Sequence, residues 1–206
     1  MFSLEDLLGQ QQGSQAVDQI SQTVNAEPSL VNSAIQMALP ALINGLANNA
    51  QTPQGAESLN NALEQHDGGI LDSLGGLGGL GSLAGAILGG GQPASPQLNA
   101  GGILGHILGG SQGQVTQQIS NQSGLNMGQV AQILMILAPI VMGYLGKQKQ
   151  ENNLDADGLS QVLGQQQQQI QQSPQGGFLE KMFDSDGDGS VTDDIASMAF
   201  KYMTNR

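Results

Sequence analysis

A chain of 206 residues with 17 acidic and 5 basic side chains, net charge −12, lacks a surface able to neutralise phosphates. Nucleic acid is therefore excluded as a partner, and an anionic membrane surface is disfavoured. The absence of cysteine removes disulfides, thiolate metal sites and thiol catalysis, and the absence of tryptophan leaves a core of Leu, Ile, Val, Met and Ala.

The first eight residues carry Glu5 and Asp6 where a secretory leader would be apolar, and they have no basic n-region. The expected location is the cytoplasm, with export by a non-classical route left open. Residues 1–67 read as a first helical repeat. Ser14 is placed to cap a helix whose inward face is Val17, Ile20 and Val24, at i, i+3 and i+7. Pro28 suits the first turn of the next helix, residues 29 to about 50, which is apolar on nearly every side and so belongs in a core. A weaker third helix, 55–65, is carried by Leu59 and Leu63.

Residues 68–110 read as a Gly/Leu-rich linker. Leu71, Leu74, Leu77, Leu80 and Leu83 recur every third residue, a period that drifts around a helix. Each interior glycine costs about 1 kcal/mol relative to alanine, so the expectation is a linker with a few leucines tucked onto the body. An alternative uses Gly81, Gly85 and Gly89 as a small-residue face for close helix contact. The Gly68-Gly69-Ile70-Leu71 segment recurs as Gly101-Gly102-Ile103-Leu104 near the end of this stretch.

Residues 111–165 form a second repeat. Displaced by 99 positions, Gln15, Gln19, Ile20 and Ser21 match Gln114, Gln118, Ile119 and Ser120, Val31 matches Val130, and Pro40 matches Pro139. A shift of one further residue aligns Leu59 and Leu63 with Leu159 and Leu163. The predicted helices are one around Val115 and Ile119, then 127 to about 147, then 157 to about 165. Pro40 and Pro139 each remove a backbone donor and are expected to kink or split their helices. The uncharged span 133–146 is too short for a membrane crossing and reads as buried in protein.

A polar Gln-rich linker, 166–177, leads to residues 178–206, read as an EF-hand-like helix-loop-helix. Calcium needs six to eight hard oxygen ligands on a flexible loop. Asp184, Asp186 and Asp188 occupy loop positions 1, 3 and 5 and donate side-chain oxygens; Gly189 permits the turn at position 6, and Ser190 donates its carbonyl. Position 12, normally a bidentate Glu, is Ile195, so the closing carboxylate comes from Asp193 or Asp194. Losing the standard closing ligand weakens affinity and argues against a large sensor-type opening.

Other chemistry is sparse. The histidines are His66 and His106, and the latter sits in an apolar setting that points to a helix-end or packed role. Gly76-x-Gly78-x-x-Gly81 matches a dinucleotide fingerprint in letters alone, since it follows no strand.

Several segments together carry a resemblance. They are Leu4-x-x-Leu7-Leu8-Gly9, Leu39-Pro40-Ala41-Leu42, Asp67-Gly68-Gly69, Gly102-Ile103-Leu104-Gly105-His106-Ile107-Leu108-Gly109-Gly110, and Leu137-Ala138-Pro139-Ile140-Val141-Met142-Gly143. The chain thereby resembles the YidB-like family of bacterial proteins, catalogued as domain of unknown function 937, over most of residues 1–165. The resemblance implies an all-helical bacterial protein without an established activity. Some members similarly end in an Asp-rich calcium-like loop, and no catalytic residues transfer.

The expectation is an all-α, non-enzymatic protein. Two pseudo-repeated three-helix units form a bundle, followed by the EF-hand-like unit, with calcium as the bound ion and a protein partner or a second copy of the chain as the contact it serves. The alternative is a membrane-active or self-associating protein acting through the Gly/Leu segment. A hydrolase or transferase site between the repeats would need a deep pocket with converging polar groups.

Overall fold

The computed structural model describes residues 4–64, 85 and 99–172, and every element in the two long described stretches is helical. In chain order these are α1 (Leu4–Leu8), α2 (Gln10–Val24), α3 (Pro28–Ala50) and α4 (Pro53–Glu64). There follow α5 (Ala100–Leu108), a 3-10 turn (Gly109–Ser111), α6 (Gln112–Ser123), α7 (Met127–Asn152) and α8 (Ala156–Gln171). The predicted calcium loop, with Asp184, Asp186, Asp188, Ser190, Asp193 and Asp194, lies outside the described residues, as do His66 and the Gly/Leu tract up to position 98, apart from Gly85.

Two long apolar helices organise the bundle. Helix α3 packs against α2, α4, α5, α6, α7 and α8, while α7 packs against α2, α3, α4, α5 and α6. Val31, Ala34, Ile35, Leu39 and Leu42 of α3, with Val130, Ile133, Leu134, Leu137 and Ile140 of α7, are sealed from solvent. Each such valine, leucine or isoleucine contributes about 1.5–3 kcal/mol when fully buried. Both helices are long and apolar enough to cross a membrane, with mean hydropathy 1.3 and 1.7, yet 72% and 67% of those windows are buried inside the protein. They are core helices by packing.

The helix boundaries follow local chemistry. Helix α3 has Pro at its first position, where a missing N–H costs nothing, and its N-cap Glu27 makes no side-chain bond. Helix α7 instead starts with a capping box. The Asn126 side chain accepts from Gln129 N at 2.9 Å, and Gln129 Oε1 accepts from Asn126 N at 3.1 Å. Gln129 Nε2 also donates to the carbonyls of Val24 and Asn25, which serves oxygens left over at the end of α2. Asp155 caps α8 by accepting from Gly158 N at 2.8 Å.

Four expectations need correction. Ser14 is not a cap: α2 begins at Gln10, and the Ser14 hydroxyl donates back to the Gln10 carbonyl at 3.1 Å. Pro40 and Pro139 do not split their helices, each of which runs unbroken through a buried proline. Dense packing on all sides holds the chain helical where the local bond is missing. The stretch read as linker ends in a helix, α5, whose Leu104, Ile107 and Leu108 are buried in the core. Finally, α8 continues through the glutamine run to Gln171, past the predicted end near 165. Glutamine is a good helix former; Ile170, 2% exposed, anchors that last turn, and Gln167 Nε2 donates to Asn44 Oδ1 at 2.6 Å and Asn48 Oδ1 at 2.9 Å. The half-buried amide thereby satisfies the polar face of α3.

Candidate binding cavity

The docking of α5 creates a ligand-sized, mostly apolar space between helices. Asn99 opens the helix, its side chain accepting from Gly102 N at 3.1 Å. The apolar residues Ile103, Leu104, Ile107 and Leu108 form one stripe at helical spacing. That stripe lies against α7 and against the C-terminal half of α3.

Two residues of α3 allow the approach. A Cβ added at Gly45 would stand 2.5 Å from the carbonyl oxygen of Ile107, so only glycine lets the two backbones come this close. One turn on, Asn49 Nδ2 donates to the carbonyls of His106, at 2.5 Å, and Ile107, at 3.3 Å. It thus caps the end of α5 from another helix, where the last carbonyls of a helix lack internal partners.

Helix α4 closes the other side. Thr52 receives the first turn, its hydroxyl accepting from Gly55 N at 3.1 Å. Gly55 sits so tightly against the Asn49 carbonyl that any side chain there would overlap it. The far end of α4 is tied to α7 by the Lys149–Glu64 ion pair at 2.9 Å. The hydrogen bond from Lys149 and then its charge hold the Glu64 carboxyl below its ordinary value of 4.5, against an opposing effect of desolvation and with a lesser contribution from the Asn60 side chain.

Between these helices is a cavity of about 330 Å³. Leu46 of α3, Gly55, Leu59 and Ala62 of α4, Ile103 and Ile107 of α5 and Met142 of α7 give it an apolar lining. The polar lining residues are Asn49, Ser58 and His106, all exposed to solvent. His106 lies in the last turn of α5. The lining offers hydrogen bonds and apolar surface, and none of these residues is Asp, Glu, Lys or Arg.

Among the described residues, no group of three or more His, Asp or Glu side chains stands close enough to hold a metal ion. The calcium ligands predicted at 184–194 fall outside them. The cavity does not follow from the sequence reading, in which residues 100–108 belong to a linker. The signal that could have revealed the helix is the Asn99 cap ahead of the 103/104/107/108 stripe. Nothing in the local sequence marks Gly45 or Asn49 as its receptors.

Residues 6–148 match the family described as "Bacterial protein of unknown function (DUF937)". That span takes in every residue lining the cavity and ends within α7, before α8 and the C-terminal segment. No curated protein and no solved structure matches the chain. On the extent of that match, the chain belongs to this bacterial family of unknown function.

Proposed function

We propose that this is a non-enzymatic cytoplasmic protein in which a helical scaffold presents a C-terminal calcium-binding segment, and that the bound ion orders that segment for contact with a protein partner. The observation that carries the reading is the spacing of Asp184, Asp186, Asp188, Ser190 and Asp193 or Asp194 about Gly189. Carboxylates this crowded repel one another, and a divalent cation coordinated by them relieves that repulsion. The scaffold side is supported by α8, which carries the chain to Gln171 as a helix anchored through Ile170.

The scaffold is read as two pseudo-repeated units. Helices α2 and α6 end at Val24 and Ser123, and α3 and α7 begin at Pro28 and Met127; each pair is 99 residues apart, as are the buried Pro40 and Pro139. Each central helix also packs against outer helices of the other unit, α3 on α6 and α8, α7 on α2 and α4.

Calorimetric titration of the full chain with calcium tests the ion reading. Without the closing Glu, a dissociation constant of about 10⁻⁴–10⁻³ M is expected, at the weak end of such loops. The Asp186→Ala/Asp188→Ala double variant is expected to lose the heat, and comparing Asp193→Ala with Asp194→Ala identifies the closing ligand. Equal heats for the double variant and the unaltered chain, or none at millimolar calcium, would overturn the proposal.

A further inference from the structure

We infer that the cavity between α3, α4, α5 and α7 binds a small, uncharged, mostly aliphatic molecule with one hydrogen-bonding head group, of the size of a medium-chain alcohol. Packed interiors contain few voids larger than a water molecule. At about 330 Å³ this space instead falls at the lower end of ligand pockets. An apolar cavity of roughly 150 Å³ accepts benzene, so one about twice as large suits roughly twice as many heavy atoms.

The chemistry of the lining selects the class. Leu46, Leu59, Ile103, Ile107 and Met142 can cover an alkyl chain. Asn49, Ser58 and His106 are the most exposed lining residues, and the Asn49 oxygen, the Ser58 hydroxyl and the His106 ring supply hydrogen bonds for a head group at that side. No lining residue is Asp, Glu, Lys or Arg to pair with a charged ligand. Lys149, the cation fastening the same α4–α7 seam, is already engaged by Glu64 at 2.9 Å. A ligand carboxylate would thus meet no lysine or arginine in the lining, only the His106 ring and neutral polar groups, in a chain of net charge −12.

The walls are pre-formed. Gly45 and Asn49 hold α5 in place, and Gly55 fixes the start of α4 against α3. This site stands apart from the calcium reading and does not depend on it.

The test uses the full chain with methionine methyl groups labelled with ¹³C, titrated with 1-decanol or, at equal concentration, with sodium decanoate. Of the eight methionines, Met142 lines the cavity, and its signal is assigned by comparison with Met142→Leu. With 1-decanol the Met142 signal is expected to shift saturably while that of Met127, exposed at the start of α7, stays put. Decanoate is expected to need at least tenfold more ligand for the same shift. Ala62→Phe, which fills the cavity, and Ser58→Phe, which obstructs its exposed side, are each expected to abolish the shift while retaining the helical circular dichroism of the unaltered protein. An unmoved Met142 signal, equal response to the alcohol and the carboxylate, or an undiminished shift in a folded Phe variant would overturn the inference.

Discussion

Helices α3 and α7 are matched at Pro40 and Pro139 and at Leu46 and Leu145, and both of these leucines are 2% exposed. One residue before the matched leucines the two helices diverge. Helix α3 has Gly45 where α7 has Tyr144, and Asn49 where α7 has Gln148. The consequence is architectural. Gly45 and Asn49 receive the backbone of α5, whereas the Tyr144 hydroxyl accepts a hydrogen bond from Gln148 Nε2 on its own helix, at 3.2 Å. The short α1 resembles α5 in pattern, with Leu4, Leu7, Leu8 and Gly9 set against Leu104, Ile107, Leu108 and Gly109. Yet α1 packs chiefly on α2, and α5 on α3 and α7. Similar apolar segments reach different destinations, and the close approach of α5 to α3 is permitted by Gly45, at a position where α7 carries a ring.

The largest effect tests whether the matched core positions are energetically equal. Leu46→Ala and Leu145→Ala should each cost about 2–5 kcal/mol in urea unfolding. A gap between them well above 1 kcal/mol would show that the adjoining cavity lets one site relax differently. The next test addresses the divergence. Gly45→Leu should cost about 1–3 kcal/mol through overpacking against Ile107, and it should expose α5 to faster amide exchange. Tyr144→Phe, which removes only the hydroxyl and the hydrogen bond from Gln148, should cost about 0.5–1.5 kcal/mol and leave α5 protected.

A smaller contrast lies at the helix starts. Asn126→Ala dismantles the capping box of α7 and should lower stability by about 0.5–2 kcal/mol. Glu27→Ala, at the matched α3 position, removes no side-chain cap and should change stability by less than about 0.5 kcal/mol. The smallest effect belongs to Glu64→Gln, read as a shift in melting temperature. Because the folded carboxyl titrates below its ordinary value of 4.5, its stabilisation is present above that pH and is lost as the pH falls through the folded value. The variant should melt slightly lower at pH 7 and together with the unaltered protein in strong acid. Added salt should also narrow the difference at pH 7.

Much of the bundle is legible in the chain. Val17, Ile20 and Val24 mark α2 by their spacing, and the nearly uninterrupted apolar runs after Pro28 and Met127 mark the two core helices. Leu59, Leu63, Leu159 and Leu163 mark the weaker helices, and all four are buried. The misreadings have two origins. Ser14, Pro40 and Pro139 follow intrinsic preference, which continuing helix and burial override, whereas the glutamines after 165 lack an apolar period but form helix readily and are held by Ile170 and Gln167. The cavity was illegible because it is bounded by residues from 46 to 142, whose proximity no local pattern encodes.

Charge balance, the absence of cysteine, helical class, the 99-residue register and the calcium-type spacing after position 183 were all set by the chain itself, because each is read from composition, from neighbours within a few turns or from matching one stretch of residues with another. Where α5 docks, how Gln167 satisfies Asn44 and Asn48, and whether a ligand-sized space survives between four helices were settled in three dimensions. Those outcomes turn on how closely two backbones approach, and a single missing Cβ at Gly45 controls that distance from more than sixty positions away.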